Sequence, residues 1–237
     1  MPHELLLFPS DAELAKASAV QWVAKLRERK EPSRPYNVAV SGGRIAKTFF
    51  SEIVRQAGGG AIFQNVNFFW ADERCVPPTD PESNYAIARQ LLFEPLKIPE
   101  AQIHRLRGEG PEPVALSEAV RAICKVSPVV KGQPVLDMIF LGMGEDGHVA
   151  SLFPGEAEET IANAAVYRAV TAVKPPPRRI TLGYAAIAAA LEVWVVAAGA
   201  GKEASLKESV SPSGKTPLAR VLRLRTQTKI FTDIKTG

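Results

Sequence analysis

The sequence predicts an α/β fold built on a parallel sheet covered on both faces, and three observations carry that reading. Apolar runs of strand length alternate with segments of helical period from one end of the chain to the other. Those runs are near-continuously apolar, the pattern of strands buried on both sides. No internal repeat, low-complexity block or linker interrupts the alternation, so the 237 residues (1–237) are expected to form one domain, against a soft expectation of ~150 residues per domain.

Each element has its own signal. Leu5–Phe8 is a short apolar run. Ser10, with Glu13 three residues on, has the form of a capping box that opens a helix. Ala15, Ala19, Trp22, Val23 and Leu26 then share one helical face, and Arg27–Lys30 closes it. Tyr36–Val40 reads as a buried strand running into Ser41-Gly42-Gly43, with a helix through Arg55 broken by Gly58-Gly59-Gly60. Val66–Ala71 is a strand ending in Asp72-Glu73-Arg74, before a proline-rich loop and a helix over Tyr85–Phe93. Ile103–Leu106 and Leu136–Leu141 are strand candidates flanking a helix over Val114–Val126. Val166–Val173 has strand character and Pro175–Pro177 is a rigid extended connector. Ala185–Leu191 reads as a helix, Val193–Ala197 as a buried strand and Glu203–Val210 as a helix.

Composition narrows the function classes. Hydrophobic residues make up 46% and charged residues 23%, ordinary for a globular protein and unlike a disordered one. The formal net charge of +4 has no basic stripe or aromatic-studded patch behind it, so nucleic acid is not the expected partner and a small anion is. Cys75 and Cys124 lie far apart without metal-ligand spacing, which favours a reducing compartment and excludes a disulfide framework or zinc site. Leu5–Phe8 is too short for a signal-peptide core, and Ala185–Gly201 is interrupted by Glu192 and falls short of the ~20 apolar residues a membrane span needs. The expected location is the cytoplasm.

Ligands of open α/β sheets bind beyond the carboxyl ends of the strands, and four such places stand out. Ser41-Gly42-Gly43 joins a strand to a helix whose first turn carries Arg44 and Lys47. Cations there are unfavourable by ~0.3–1 kcal/mol each against the helix dipole unless an anion is bound. Asp72-Glu73-Arg74 offers a guanidinium for bidentate contact with phosphate or carboxylate, or an internal salt bridge. The stretch Gly142–His148 puts His148 in a glycine-dense turn two residues from Asp146, a pair able to activate water. Arg178-Arg179 and Lys202, three residues after Gly199, supply cations in the last third. Gly142, Gly144 and Gly147 also spell a dinucleotide fingerprint, but Pro154-Gly155 cuts off the helix that fingerprint requires, and no strand-end acid comes ~20 residues on. Ser151 lacks a nucleophile-elbow context and is given no role as a nucleophile.

These places, in this order, resemble the 6-phosphogluconolactonase family over nearly the whole chain. Gly144-Glu145-Asp146-Gly147-His148-Val149-Ala150-Ser151-Leu152-Phe153-Pro154 is the most specific piece. Trp70-Ala71-Asp72-Glu73-Arg74, Ser83-Asn84-Tyr85, Arg179-Ile180-Thr181-Leu182 and the Gly199/Lys202 pair support it. The resemblance implies a modified Rossmann-like three-layer sandwich with a mostly parallel sheet, similar to glucosamine-6-phosphate deaminases and ribose-5-phosphate isomerases. It implies hydrolysis of 6-phosphoglucono-1,5-lactone to 6-phosphogluconate in the oxidative pentose phosphate pathway, without metal or organic cofactor. His148, oriented by Asp146, would activate water. Gly42, Gly43, Arg179 and Lys202 would hold the phosphate, Asp72 and Arg74 would line the site, and Arg74 could serve either end of the substrate. A glucose-6-phosphate dehydrogenase would be the pathway neighbour.

One segment departs from the family. Its double glycine usually continues Ser-Thr-Pro, whereas this chain reads Arg44-Ile45-Ala46, replacing two hydroxyl donors with a charge. Two other readings stand beside the lactonase. A sugar-phosphate deaminase-isomerase would typically carry a glutamate after the Asp-Gly-His segment, where this chain has Ser151-Leu152-Phe153-Pro154. A non-catalytic sugar-phosphate-binding regulator would usually append a DNA-binding module.

Overall fold

The computed structural model describes residues 3–30 and 33–235. β1 (Glu4–Leu7), α1 (Asp11–Arg27), β2 (Tyr36–Val40), α2 (Arg44–Ala57), β3 (Val66–Trp70) and β4 (Asp72–Arg74) come first. Next are α3 (Asn84–Ala88), a π-turn over Arg89–Phe93, α4 (Glu94–Leu96), α5 (Glu112–Val126), the hairpin β5 (Val129–Val130) and β6 (Gln133–Pro134), and β7 (Met138–Gly142). The chain then runs through α6 (Glu158–Ala162), β8 (Tyr167–Thr171), β9 (Arg178–Leu182), α7 (Tyr184–Ala189), β10 (Glu192–Ala197), α8 (Glu203–Val210), α9 (Pro217–Arg223) and β11 (Lys229–Thr232).

Six strands form one wholly parallel sheet in the order β1-β11-β10-β7-β2-β3. All of β2, Met138–Leu141 of β7 and Val193–Ala197 of β10 are buried, so both faces of the sheet are covered. One face is aromatic. Phe140 lies 5.0 Å from Trp22 of α1, 4.8 Å from Phe49 of α2 and 5.8 Å from Trp194, which in turn lies 5.0 Å from Phe231. Truncating a ring in such a row costs ~3–5 kcal/mol.

The strand order sets the position of the site. From β2 the chain passes through α2 to β3 on one side, whereas β7 leads towards β10 on the other. A crevice must open where the connections diverge, at the carboxyl ends of β2 and β7. The hydroxyl of Ser41 donates to the Phe140 carbonyl at 2.9 Å and ties the two strand ends together there.

A smaller antiparallel sheet, β4-β9-β8, stands beside this edge. It corrects several sequence expectations. Asp72-Glu73-Arg74, expected as a charged end to the preceding strand, is a strand in its own right, because its backbone pairs with Arg179–Thr181. Val166–Val173 shortens to β8 and belongs to the small sheet. Ile103–Leu106 forms no strand: after a 3-10 turn only Ile103 bridges Phe68, and the chain leaves the sheet edge at once. The helix over Tyr85–Phe93 is α3 continued by a π-turn. β9, α9 and β11 have no counterpart among the elements the sequence pattern predicts.

Arg225 fixes the lower end of α7. It is buried, and its guanidinium donates to the carbonyls of Ile187, Ala188 and Ala190 at 2.8–3.0 Å, satisfying the orphan acceptors of a helix C-terminus. Burial lowers its pKa to about 10. Among the described residues no helix is long and apolar enough to cross a membrane.

Candidate active site

The crevice at the β2/β7 switch point encloses about 580 Å³ of empty space, part of it open to solvent. Its first wall is the turn after β2. Gly43 sits at the N-cap of α2 with φ 101°, and the first turn of that helix has no acidic residue to occupy its free amides. Arg44 extends from that turn across the end of β10. A methyl at Gly199 would stand 2.2 Å from its Nη2. Lys202, at the N-cap of α8, faces the same corner. Its ammonium is pushed below the ordinary lysine value by burial first and by Arg44 second, with Glu145 and Asp233 opposing. Two cations held together against their own repulsion, beside two helix N-termini, make a site for an anion.

The small sheet supplies the opposite wall. Arg74 donates through Nη1 to the Glu82 carbonyl at 2.7 Å, and Arg179 donates to the carbonyls of Pro176 and Lys174 at 3.1 and 3.3 Å. Arg179 also lies over the Phe153 ring at 5.6 Å. Burial and then Arg74 lower its pKa, against Asp72 and Glu82. Asp72 is buried and accepts from the Ser151 hydroxyl at 2.7 Å, while the Asn84 amide donates to its carbonyl at 2.9 Å. Behind this wall Glu73 accepts from the amides of Arg74, Asn84 and Tyr85 and from the Ser83 hydroxyl, at 2.7–3.0 Å. Burial pushes its carboxyl up to about 7 against those four donors.

The loop after β7 carries Asp146 and His148. Asp146 Oδ1 accepts from the His148 amide at 3.1 Å and meets its ring Nδ1 at 2.5 Å. Burial raises the Asp146 carboxyl, but the amide, the charge and the ring of His148 outweigh it, and the group lies below its ordinary value. An ionised Asp146 accepts a hydrogen bond from Nδ1–H, which leaves Nε2 as the lone-pair nitrogen of the neutral ring. The ring lies so close over Gly144 that a methyl there would stand 2.1 Å from two of its atoms, and it packs against Phe153 at 5.0 Å. Gly144 and His148 also bond through their backbones at 2.9 Å. No helix starts after this loop before Glu158–Ala162, so the run has the spacing of a dinucleotide fingerprint without its strand–turn–helix context.

The sequence candidates therefore converge. Gly42, Gly43, Arg44, Asp72, Arg74, His148, Arg179 and Lys202 all line this one cleft, and Asp146 stands directly behind His148. Two further lining residues carry no assigned role in the sequence pattern. Asn84 stands there only as part of the Ser83-Asn84-Tyr85 segment; its signal is a polar residue just after a helix-capping serine, which accepts from the Ala86 amide at 3.2 Å. Gly144 counts in the sequence as part of a fingerprint, whereas its role is close approach to His148.

Comparison with known proteins gives a consistent result. The model of the family described as "Glucosamine-6-phosphate isomerases/6-phosphogluconolactonase" matches residues 9–231. A 6-phosphogluconolactonase of Aggregatibacter actinomycetemcomitans is 34% identical over 207 residues, 85% of this chain and 86% of that one. One from Haemophilus influenzae is 39% identical over 135 residues, 56% of each chain. The solved 6-phosphogluconolactonase of Trypanosoma brucei superposes with a TM-score of 0.85 at 25% identity, covering 96% of this chain and 95% of that one.

Proposed function

The chain belongs to the glucosamine-6-phosphate isomerase/6-phosphogluconolactonase family, and from that premise we propose how its cleft carries out the lactonase reaction. The activity is hydrolysis of 6-phosphoglucono-1,5-lactone to 6-phosphogluconate in the pentose phosphate pathway. The observation that carries the assignment of roles is the 2.5 Å contact between Asp146 and His148 at a cleft also lined by Arg44, Arg74, Arg179 and Lys202.

His148 Nε2 takes a proton from water as the water oxygen attacks the lactone carbonyl carbon. The carbonyl π electrons move to oxygen, and Arg74 and amides of the glycine loop are the donors available to that oxyanion. As the carbonyl re-forms, the bond to the ring oxygen breaks, and the imidazolium returns its proton to that oxygen. Water has then added across the ester, and the new carboxylic acid ionises in solvent. Asp146 holds the tautomer and stabilises the imidazolium between the two transfers. The phosphate rests on the Gly42-Gly43 turn with Arg44 and Lys202, and Arg179 faces the same space from the small sheet. In this reading Arg44 replaces with one charge the hydroxyl donors usual at Arg44-Ile45-Ala46. Ser151 spends its hydroxyl on Asp72, and the segment holds no ring-opening acid of the deaminase kind.

The same reading takes residues 1–237 as one domain acting in the cytoplasm, downstream of a glucose-6-phosphate dehydrogenase. Cys75 and Cys124, both free thiols, fit a reducing compartment. The test generates the lactone in place from glucose 6-phosphate and measures hydrolysis above the spontaneous rate, for wild type and for His148→Ala with folding checked by circular dichroism. Acceleration by wild type and none by the folded variant is the expected result. Equal rates for the two would remove His148 from the mechanism.

A further inference from the structure

Asn84 is 2% exposed, and its two amide ends are unlike. Its NH2 group donates to the Asp72 carbonyl at 2.9 Å and lies 3.5 Å from the Asp72 carboxylate, so two acceptors fix which end is which. Oδ1 is thereby turned the other way, where it is enclosed and has no hydrogen-bond donor. What it meets is the glycine turn at the end of β2: a methyl on Gly42 would stand 1.8 Å from Oδ1 and 2.4 Å from the carbon that bears it. Gly42 has no left-handed backbone angle to explain its being glycine, unlike Gly43 beside it with φ 101°. The absence of a side chain at position 42 is a steric requirement imposed by Asn84.

A buried polar atom left without a partner is disfavoured, and such exceptions are rare in folded proteins. Here the exception sits between the first residue of β4 and the turn that lines the cleft beside Arg44 and Lys202. We infer that Asn84 is a positioning residue for the phosphate end of the substrate: anchored on Asp72, its carboxamide wedges the Ser41-Gly42-Gly43 turn at the height where the turn's amides, Arg44 and Lys202 converge on one anion. This deepens the reading of the cleft given above and rests on it for the identity of the anion. Asn84 touches neither the reacting carbon nor His148 in this scheme. Its removal acts on affinity for the phosphate end, and the chemical step is affected only through placement.

The test is a compensation experiment with two probes. Affinities of inorganic phosphate and of 6-phosphogluconate are measured by titration calorimetry, and KM and kcat for the lactone by steady-state kinetics. The proteins are wild type, Gly42→Ala, Asn84→Ala and the double variant, all checked for native circular dichroism. Gly42→Ala forces the turn off Asn84 and is expected to weaken both ligands at least about 30-fold. Asn84→Ala leaves the turn unsupported and weakens both about 5-fold, with the kinetic loss concentrated in KM. The double variant, freed of the clash, binds at least about 5-fold more tightly than Gly42→Ala. Losses that simply multiply in the double variant, or a loss from Asn84→Ala confined to kcat, would overturn the inference. If Gly42→Ala does not fold and the double variant does, the double variant and Asn84→Ala are titrated against wild type, and weaker phosphate binding by both supports the inference while wild-type affinity overturns it. If neither folds, Asn84→Ala and Asn84→Asp are compared with wild type by the same titrations and kinetics: weaker phosphate binding with a raised KM supports the inference, and unchanged phosphate affinity overturns it. A wild type that binds both probes but leaves the lactone untouched would sink the lactonase reading while the Asn84–Gly42 coupling remained measurable from binding.

Discussion

Two glycine turns end the neighbouring strands β2 and β7, and they solve different problems. The turn after β2 passes straight into a helix, so its amides are left free and cations gather round them. The turn after β7 enters no helix. It closes on itself through the Gly144–His148 backbone bond and spends its geometry on holding one imidazole. The glycines differ in cause as well: Gly42 makes room for Asn84 from outside the turn, and Gly144 makes room for a ring within it. In the proposed reading, adjacent ends of one parallel sheet divide the work, one gripping charge and the other moving a proton. Glycine density alone does not tell which is which; the next element along the chain does.

The comparison breaks at its strongest point if His148 is dispensable. His148→Ala should lower the catalysed rate by roughly 10²–10⁴ while 6-phosphogluconate still binds, since the anion-gripping turn is untouched. Calorimetry beside the rate assay separates the two. Gly144→Ala should come next, at about 10²-fold in kcat, because a methyl under the ring displaces the base by a bond length or so. Activity within twofold of wild type would mean that the ring has another resting place. At the other turn, Arg44→Ala and Lys202→Met should each raise KM about tenfold or more, the worth of a charge-assisted contact, with kcat changed far less. A loss in kcat alone would move that cation to the reacting end of the substrate. The smallest effect concerns folding. Asp146 is a carboxyl held below its ordinary value near 3.8, so its contribution to stability is present above that pH and is lost as pH falls through the lower folded value. Thermal unfolding of wild type and Asp146→Asn should therefore differ at neutral pH and converge as pH falls below the ordinary carboxylate range.

The legibility of the molecule in its sequence divides along similar lines. The parallel sheet is legible because its strands are buried on both faces, which forces continuous apolar runs such as Tyr36–Val40 and Val193–Ala197. The cleft residues are legible because they sit just past those runs. The small sheet is not. Asp72-Glu73-Arg74 is three charged residues long, and its strand character comes only from pairing with Arg179–Thr181, more than a hundred positions away. Ile103–Leu106 fails in the opposite sense: an apolar-flanked run of strand length gains a single bridge because the chain turns off the sheet edge. Asn84 and Arg225 escape for a third reason. Each matters through what encloses it, Gly42 in one case and the end of α7 in the other, and neither neighbour is close in sequence.

The burial of the aromatic residues has a consequence at the bench. Trp22, Trp70 and Trp194 are each at most 1% exposed, and two of them belong to the ring row beneath α1 and α2. Their fluorescence therefore originates in dry, rigid surroundings and should emit towards the blue, shifting red as one signal when the sheet comes apart. None of the three lines the cleft, and only Trp70 lies on a strand that leads directly to Asp72. Intrinsic emission is thus a clean reporter of unfolding for every variant named above, and a poor one for ligand entry, which calls for calorimetry or an added fluorophore.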